Sequence, residues 1–316
     1  MMRKSILVVF LLISAAVTAF GTGQAEEAGP PTVAFSPGDM ANPSQAFAAK
    51  MFQKHANEFG FKVIILDGKG DAQVQSQTVT NAIAQDVEAI YVNPNDVNAI
   101  IPCLQQAKQA GLIVGMFSSD VPAASARVRD FFVGVNDLMA GETAAQAFFD
   151  AFPNGAKVVE IGGQAGHDAQ IKRHDGFNKA IEGTNIELLE YQATQQWATD
   201  QAMAIAEDMI TKYGEEIDGI FCHWDNGVTG VANAVEAANL DKELFVVGVD
   251  GNRAGFQQVM DGIQDVTVMQ NFETQAIKTL ELTKKLLEGG TVDEINYVAL
   301  DVVTPDNIDD FTLPEW

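Results

Sequence analysis

The chain has 316 residues, 47% of them hydrophobic, and a formal net charge of −24. This length and this apolar content are enough for about two domains with hydrophobic cores. A surface so acidic repels nucleic acid phosphates and anionic lipid head groups, which argues against both as partners.

The N-terminus has the pattern of a secretory signal peptide. A short basic head precedes an apolar run at 6–17, which is too short to span a bilayer. Small residues follow and allow cleavage after Ala19 or Ala25, so we expect the signal peptide within 1–25. No cysteine lies there to carry a lipid, and no later run reaches membrane-spanning length. We therefore expect an exported, periplasmic protein without a membrane anchor of its own.

Short apolar runs alternate with longer amphipathic stretches from residue 32 onward. The predicted strands are 32–35, 62–66, 89–92, 113–117, 131–135, 157–161, 186–191, 219–222, 244–249 and 267–270. The predicted helices are 44–59, 74–85, 97–110, 141–152, 169–181, 200–213 and 228–238. Strands that alternate with helices in this way indicate an α/β fold with parallel sheets covered on both faces.

Two stretches of the chain repeat the same pattern. Residues 87–120 and 217–250 align at a constant offset of 130 without a gap, so that Ile90 matches Ile220 and Asp120 matches Asp250. Each stretch contains a strand, a polar tip, a helix, a second strand and a second polar tip. We therefore predict two similar Rossmann-like lobes with a ligand cleft between them.

Polar and aromatic side chains cluster where the predicted strands end, which is where open α/β sheets bind ligands. These candidate ligand-binding residues are Asp39, Asn42, Ser118, Ser119, Asp120, His167, Asp168, Arg173, Trp197, Trp224, Asp225, Asp250 and Gln270. Carboxylates, amides and one arginine can bond many hydroxyl groups, and an indole offers an apolar face to a sugar ring. Because the aspartates would repel an anion, these residues favour a neutral, polyhydroxylated ligand.

Each candidate also has a purely structural interpretation. Asp168 and Asp225 equally fit helix caps, because aspartate often caps the helix that follows a strand. Arg173 fits a surface ion pair with Glu182, a lone tryptophan is often a core residue, and Asn42 fits a helix entrance because a proline follows it. The functional interpretation depends on the recurrence of these clusters at equivalent strand ends.

Other kinds of site find little support. Cys222 and His223 are consecutive in a predicted strand and point to opposite faces, so they do not form a metal site with Asp225. The chain has no Gly-x-Ser-x-Gly elbow for a serine hydrolase. An exported protein could pair Cys103 with Cys222, but we expect two free, buried thiols. No cofactor is expected.

Six stretches resemble a known family: TVAFSPGDMANP, AIYVNPNDVNAIIPCLQQAKQAGLIVGMFSSD, VGVNDLMAG, RHDGF, FVVGVDG and VTVMQN. The mature chain resembles, over nearly its full length, the periplasmic substrate-binding proteins of sugar ABC transporters. The ribose, galactose and xylose type is most similar. The resemblance implies a type I periplasmic-binding fold, with a hinge that the chain crosses three times. The N-terminal lobe then contains 32–134 plus 271–300, and the C-terminal lobe contains 135–270 plus 301–316.

The resemblance also implies roles for single residues. Sugar contacts are implied for Asn42, Ser118, His167, Arg173, Asp250 and Gln270, and stacking on the sugar ring for Trp197. Trp224 departs from the family pattern, because relatives commonly have asparagine there. Ser118 and Ser119 replace an acidic or amide side chain, so that either the ligand has fewer contacts there or Asp120 reaches in instead. The aromatic positions after Asn42 are taken by Ser44 and Gln45. A hexose, a pentose, a polyol and a cyclitol all stay open as ligands.

The resemblance implies capture of a neutral monosaccharide or polyol by lobe closure, and its delivery to the membrane permease of an ABC transporter. We expect the protein to act as a monomer. One alternative is a receptor of the same fold that presents its ligand to a chemoreceptor or a sensor kinase. A second is an exported carbohydrate-active enzyme that uses Asp168 and Asp225 as paired carboxylates.

Overall fold

The computed structural model describes residues 29–85 and 87–316, so the predicted signal peptide lies outside the described residues. The strands are β1 (Thr32–Ser36), β2 (Lys62–Ile65), β3 (Ala89–Val92), β4 (Ile113–Phe117), β5 (Phe131–Gly134), β6 (Ala156–Gln164), β7 (Ile186–Thr194), β8 (Gly219–Cys222), β9 (Phe245–Asp250), β10 (Val266–Gln270), β11 (Ile295–Tyr297) and β12 (Leu300–Val303). The helices are α1 (Pro43–His55), α2 (Ala72–Ile83), α3 (Ile101–Gln109), α4 (Asp137–Ala151), α5 (Asp168–Ile181), α6 (Thr199–Tyr213), α7 (Asp225–Ala238), α8 (Arg253–Met260) and α9 (Phe272–Leu287). Among the described residues, no helix is both long enough and apolar enough to cross a membrane.

The strands form two six-stranded sheets of the same topology. The first sheet has the order β11-β5-β4-β3-β1-β2, and the second has the order β12-β10-β9-β8-β6-β7. When the strands are numbered within each lobe, the first five of both sheets lie in the doubly wound order 2-1-3-4-5. In this order a crevice opens at the carboxyl ends of the strands, at the point where the strand order reverses. All neighbouring strands are parallel except β12, which pairs antiparallel with β10. The prediction of two similar parallel α/β lobes is confirmed.

Each sheet has an apolar layer on both faces, as buried parallel strands require. All four residues of β3 and of β8 are buried. The layers of the first sheet include Phe52 on one face and Leu104 on the other, and those of the second include Met209 and Phe177. We call the first sheet with α1, α2, α3 and α9 the N-terminal lobe, and the second sheet with α4 to α8 the C-terminal lobe.

The two cysteines lie in different lobes. Cys103 is buried beside Leu104 in the N-terminal lobe, and Cys222 is buried in β8 of the C-terminal lobe. Both are free thiols, as expected.

The chain passes between the lobes after β5, between β10 and α9, and between β11 and β12. The last residues of the chain contact both lobes. β12 pairs with β10 in the C-terminal lobe, whereas the indole of Trp316 packs against the core of the N-terminal lobe. Its ring is partly buried there by Phe47 of α1 and Phe272 of α9.

The strand register corrects the gap-free alignment of the repeat. Ala89 of β3 pairs with Ile113, whereas Gly219 of β8 pairs with Phe245. The second unit therefore holds two more residues between its strands, because 245 − 219 is 26 and 113 − 89 is 24. Asp250 consequently corresponds to Ser118 and not to Asp120. Both residues have a left-handed backbone, with φ of 124° and 60°.

Candidate functional site

A cavity lies between the two lobes at the carboxyl ends of their strands. Its wall contains Asn42, Pro43, Ser44, Gln45, Asn93, Ser118, His167, Ala169, Arg173, Trp197, Trp224, Asn226, Asp250, Gln270 and Phe272. Its volume is about 40 Å³. The cavity is therefore suited to a small molecule.

Arg173 reaches the cavity because α4 and α5 pack with their backbones in contact. A Cβ atom at Gly141 would collide with the backbone oxygen of Arg173, and one at Gly176 would collide with that of Leu138. Only glycine permits such an approach. It brings Asp137 of α4 to the guanidinium, whose Nε and Nη2 each lie 2.9 Å from Asp137 Oδ1.

The guanidinium of Arg173 keeps part of its donor capacity for a ligand. Its Nη1 donates to the backbone oxygen of His223, in addition to the bonds with Asp137. A guanidinium has five N–H donors, so about two remain. Because Asp137 balances the charge of Arg173, the pair supplies hydrogen bonds without a net positive charge that would attract an anion.

Asp250 and Gln270 present acceptors to the cavity. Gln270 Nε2 donates to Asp250 Oδ1 at 2.7 Å, which fixes the amide and leaves its oxygen without a partner within the described chain. Burial raises the pKa of Asp250 to about 6, although the nearby Arg173 opposes the shift. A buried acceptor without a partner is costly, so ligand hydroxyl groups that donate here would be stabilised.

Two indoles form a corner of the wall. The rings of Trp197 and Trp224 lie 5.4 Å apart at 88°, and the His167 ring meets Trp197 edge-on at 5.3 Å. Gly163 leaves room for the Trp197 ring, since a Cβ atom there would collide with it. This corner offers apolar ring faces beside the polar groups, the combination that suits the C–H and O–H faces of a sugar.

His167 joins the lobes across the cavity. Its Nδ1 accepts from the backbone N–H of Ala169 at 3.3 Å, so Nε2 carries the proton and donates to Asn93 Oδ1 at 3.2 Å. Burial, with smaller contributions from the cations of Arg173 and Lys172, lowers the pKa of His167 to about 3, so the ring is neutral near pH 7.

Further contacts connect the lobes around the cavity. Gln164 Nε2 donates to the backbone oxygen of Asn95 at 3.1 Å, and the backbone N–H of Asp120 donates to Asp168 Oδ2 at 3.1 Å. These bonds pair the polar strand ends of one lobe with those of the other. The structure therefore shows the lobes closed on each other.

Eight of the thirteen candidate residues line this cavity. They are Asn42, Ser118, His167, Arg173, Trp197, Trp224, Asp250 and Gln270. Asn42 also caps α1, because its Oδ1 accepts from the backbone N–H of Ser44 at 3.0 Å. Arg173 is buried and pairs with Asp137, so a surface pair with Glu182 is excluded.

The other five candidates lie outside the cavity wall. Asp120 does not reach in, because Arg129 holds both of its carboxylate oxygens at 2.7 and 2.8 Å. Ser119 is fully buried behind the wall. Asp39 accepts from the backbone N–H of Ala41 at 2.9 Å and lies away from the wall.

The two carboxylates of the enzyme alternative are also held outside the cavity wall. Asp168 pairs with Lys172 of the same helix. Asp225 is fully buried and accepts from the backbone N–H of Gly251 at 2.8 Å and from Thr267 Oγ1 at 2.9 Å. Burial and the charge of Asp250 raise the pKa of Asp225. Its oxygens hold the loop after β9 against β10, so the role of Asp225 is structural.

His223, which follows β8, turns away from the cavity. Its Nε2 bonds Glu160 Oε1 at 2.8 Å, and Glu160 also bonds His174 Nδ1 at 2.8 Å. Burial lowers the pKa of His223. Within 29–85 and 87–316, no group of three or more metal-binding side chains converges.

Several wall residues were missed in the sequence. They are Pro43, Asn93, Ala169, Asn226 and Phe272, with Asp137 behind the wall. Ser44 and Gln45, which stand where relatives have aromatic residues, also belong to the wall. Asn93 could have been found, because it directly follows β3 at the carboxyl edge of the sheet. Phe272 follows the crossing after β10, and nothing in the local pattern marks it.

Comparison with known proteins identifies the family. Residues 33–291 match the family model described as a periplasmic binding protein domain. The chain is 28% identical over 263 residues to the ribose import binding protein of Bacillus subtilis (strain 168), a match that covers 83% of this chain and 84% of that protein.

Solved structures show the same architecture. A galactofuranose binding protein superposes with a TM-score of 0.84 at 22% identity and covers 89% of this chain and 97% of its own. An ABC transporter solute binding protein from Actinobacillus succinogenes 130z, with bound D-allose, has a TM-score of 0.81 and 26% identity over 89% of this chain and 100% of its own. The chain belongs to the periplasmic binding protein family, with the type I fold and the periplasmic location that this membership implies.

Proposed function

We propose that this protein captures a neutral monosaccharide or a related polyol by lobe closure and delivers it to the permease of an ABC importer. The observation that carries the proposal is the closed cavity between the lobes. Its wall combines two indoles with the fixed acceptors of Asp250 and Gln270 and the charge-balanced donor Arg173. The import of ribose by a relative and the bound D-allose of another support a sugar as the ligand.

The size of the cavity supports a single small ring. A cavity of about 40 Å³ lies well below the ~300–1,000 Å³ of pockets for drug-sized ligands. A disaccharide would need the lobes to stay apart, which would break the bond between His167 and Asn93.

Closure supplies the mechanism of capture. Asn42, Asn93 and Ser118 belong to the N-terminal lobe, whereas Arg173 and Asp250 belong to the other. A ligand bonded by both sets stabilises the closed state, by an amount limited to its difference in affinity for the closed and open states. The closed surface would then be the one that docks on the permease.

We also propose export through a signal peptide that is cleaved after Ala19 or Ala25. N-terminal sequencing of the protein recovered from the periplasm tests this.

A thermal-shift screen tests the function. Neutral pentoses, hexoses, polyols and cyclitols are compared with sugar phosphates, and a ligand that binds only the native form raises the melting temperature. We expect a rise with one or more neutral compounds, no rise with phosphates, and a calorimetric Kd of roughly micromolar, about −8 kcal/mol. Stabilisation by phosphates alone, or conversion of a sugar into a product, would contradict the proposal.

A further inference from the structure

Residues 311–316, which we call the strap, are attached to the N-terminal lobe by an indole. The Trp316 ring stacks on Phe47 of α1, with centroids 5.4 Å apart and planes at 14°. It also meets Phe272 of α9 edge-on at 5.1 Å. Phe272 lines the ligand cavity, so Trp316 lies directly behind a wall residue.

The main chain of the strap is attached to the C-terminal lobe. The backbone N–H of Arg253, at the start of α8, donates to the backbone oxygen of Trp316 at 2.6 Å. The Arg253 side chain donates through Nε to the backbone oxygen of Pro314 at 3.1 Å. Phe311 meets Phe256 of α8 edge-on at 6.3 Å. The strap is therefore a non-covalent bridge between α8 and the pair α1 and α9.

A hinge rotation moves α8 of one lobe relative to α1 and α9 of the other, which are the elements that the strap joins. Because the anchors lie on different lobes, opening must break one anchor or bend the strap. Both anchors are formed in a structure whose lobes touch across the cavity through His167 and Asn93. We propose that the strap stabilises the closed state and that Trp316 is a positioning residue, which acts on the cavity through Phe272. The proposal depends on lobe closure but not on the identity of the ligand.

The experiment measures the distance between the lobes directly. Gln73 in α2 and Gln195 after β7 are exposed and belong to different lobes, so Q73C and Q195C carry a pair of spin labels. The natural Cys103 and Cys222 are buried, and burial raises the pKa of both thiols, which protects them from labelling. Pulsed electron resonance then gives the distance distribution of the full chain without added ligand.

We expect Trp316→Ala to shift this distribution toward longer distances and Trp316→Phe to keep it near that of the parent, because phenylalanine can still stack on Phe47. Arg253→Met is the second variant. Arg253 is exposed, so this change removes one bond to the strap without disturbing a core. A smaller shift in the same direction is expected.

The matched control is Phe152→Ala. Phe152 is partly buried and meets Phe245 edge-on at 5.7 Å within the C-terminal lobe, so its loss lowers stability without touching the strap. Its distance distribution should equal that of the parent. Trp316→Ala and Arg253→Met distributions that coincide with this control would overturn the proposal.

Ligand affinity provides an independent readout. For the neutral sugar with the largest thermal shift, Trp316→Ala should raise Kd about three- to tenfold, mainly through faster dissociation, as expected for the loss of one or two aromatic contacts. Phe152→Ala should leave Kd unchanged. If no neutral sugar binds, the proposed function fails while the label distances still decide the role of the strap.

Discussion

The protonation state of Asp250 makes ligand affinity depend on pH. Its pKa of about 6 comes from burial, and a ligand hydroxyl that donates to the carboxylate favours the ionised form. Binding below pH 6 must therefore release a proton. We expect the affinity to fall by up to about tenfold per unit of pH below 6 and to level off above it.

Titration calorimetry between pH 5 and 8, in buffers of different ionisation enthalpy, checks both the affinity and the released proton. Asp250→Asn should bind more weakly and lose most of the pH dependence. His167, with a pKa of about 3, stays neutral in the closed state over this range. Asp39→Asn is the control, since this strand-end aspartate lies outside the wall. An affinity that rises on acidification would exclude the proposed role of the Asp250 carboxylate.

Trp197 supplies the apolar face of the site. Trp197→Ala should weaken binding by at least about tenfold, or ~1.4 kcal/mol, because the ring faces are lost. Trp197→Phe should recover part of the affinity. Calorimetry measures both, with Ser119→Ala as a control behind the wall. Unchanged affinity in Trp197→Ala would remove the aromatic corner from the site.

The candidate residues that line the cavity share one property. Asn42, Trp224 and Asp250 follow strands or enter helices at the carboxyl edge of a sheet, and alternating strands and helices reveal that edge in the sequence. Asp120, which lies outside the cavity wall, shows what the sequence pattern omits. Asp120 also follows a strand, but its partner Arg129 lies across a turn, and only the fold shows that this arginine takes both carboxylate oxygens.

At the scale of elements, two glycines determine where Arg173 lies. Gly141→Ala places a Cβ atom against the backbone of α5, which cannot yield as a side chain would. We expect the free energy of unfolding to fall by about 1–3 kcal/mol and ligand affinity to fall with it, because α4 moves and displaces Asp137 from Arg173. Urea unfolding and calorimetry check this.

Thr143→Ala, two residues further along α4 and partly exposed, is the control for this variant. It should change the free energy of unfolding and the ligand affinity little. A Gly141→Ala protein with the stability and affinity of the parent would show that the two helices are free to move apart without cost to the site.

All ten predicted strands are present in the structure, and most of their bounds agree to within a few residues. Four elements were not predicted. β11 has three residues and lies at the edge of its sheet, and β12 turns back antiparallel, so neither has the buried apolar run of a central strand. α8 and α9 begin directly after β9 and β10 at the crossings, where the sequence was interpreted as strand ends and hinge.

At the scale of the whole molecule, the net charge of −24 opposes the compact state through self-repulsion. Salt screens this repulsion, because the Debye length falls from about 30 Å at 0.01 M to about 10 Å at 0.1 M. We expect the melting temperature to rise by a few degrees between 0.01 and 0.2 M NaCl. Choline chloride should act equally, since screening depends on ionic strength.

Differential scanning calorimetry without ligand measures this rise. Sucrose at matched osmolality is the control for general exclusion from the surface. A melting temperature that is independent of salt would mean that the acidic side chains are spaced widely enough to cost the fold nothing.

The separate burial of the two thiols has a consequence for biogenesis. With Cys103 sealed in one half and Cys222 in the other, the native chain has no covalent cross-link to form, shuffle or repair. Maturation is therefore indifferent to the redox state of the compartment. The same native protein should be recovered from a reducing cytoplasm and from an oxidising export route, with no need for a thiol oxidase or an isomerase.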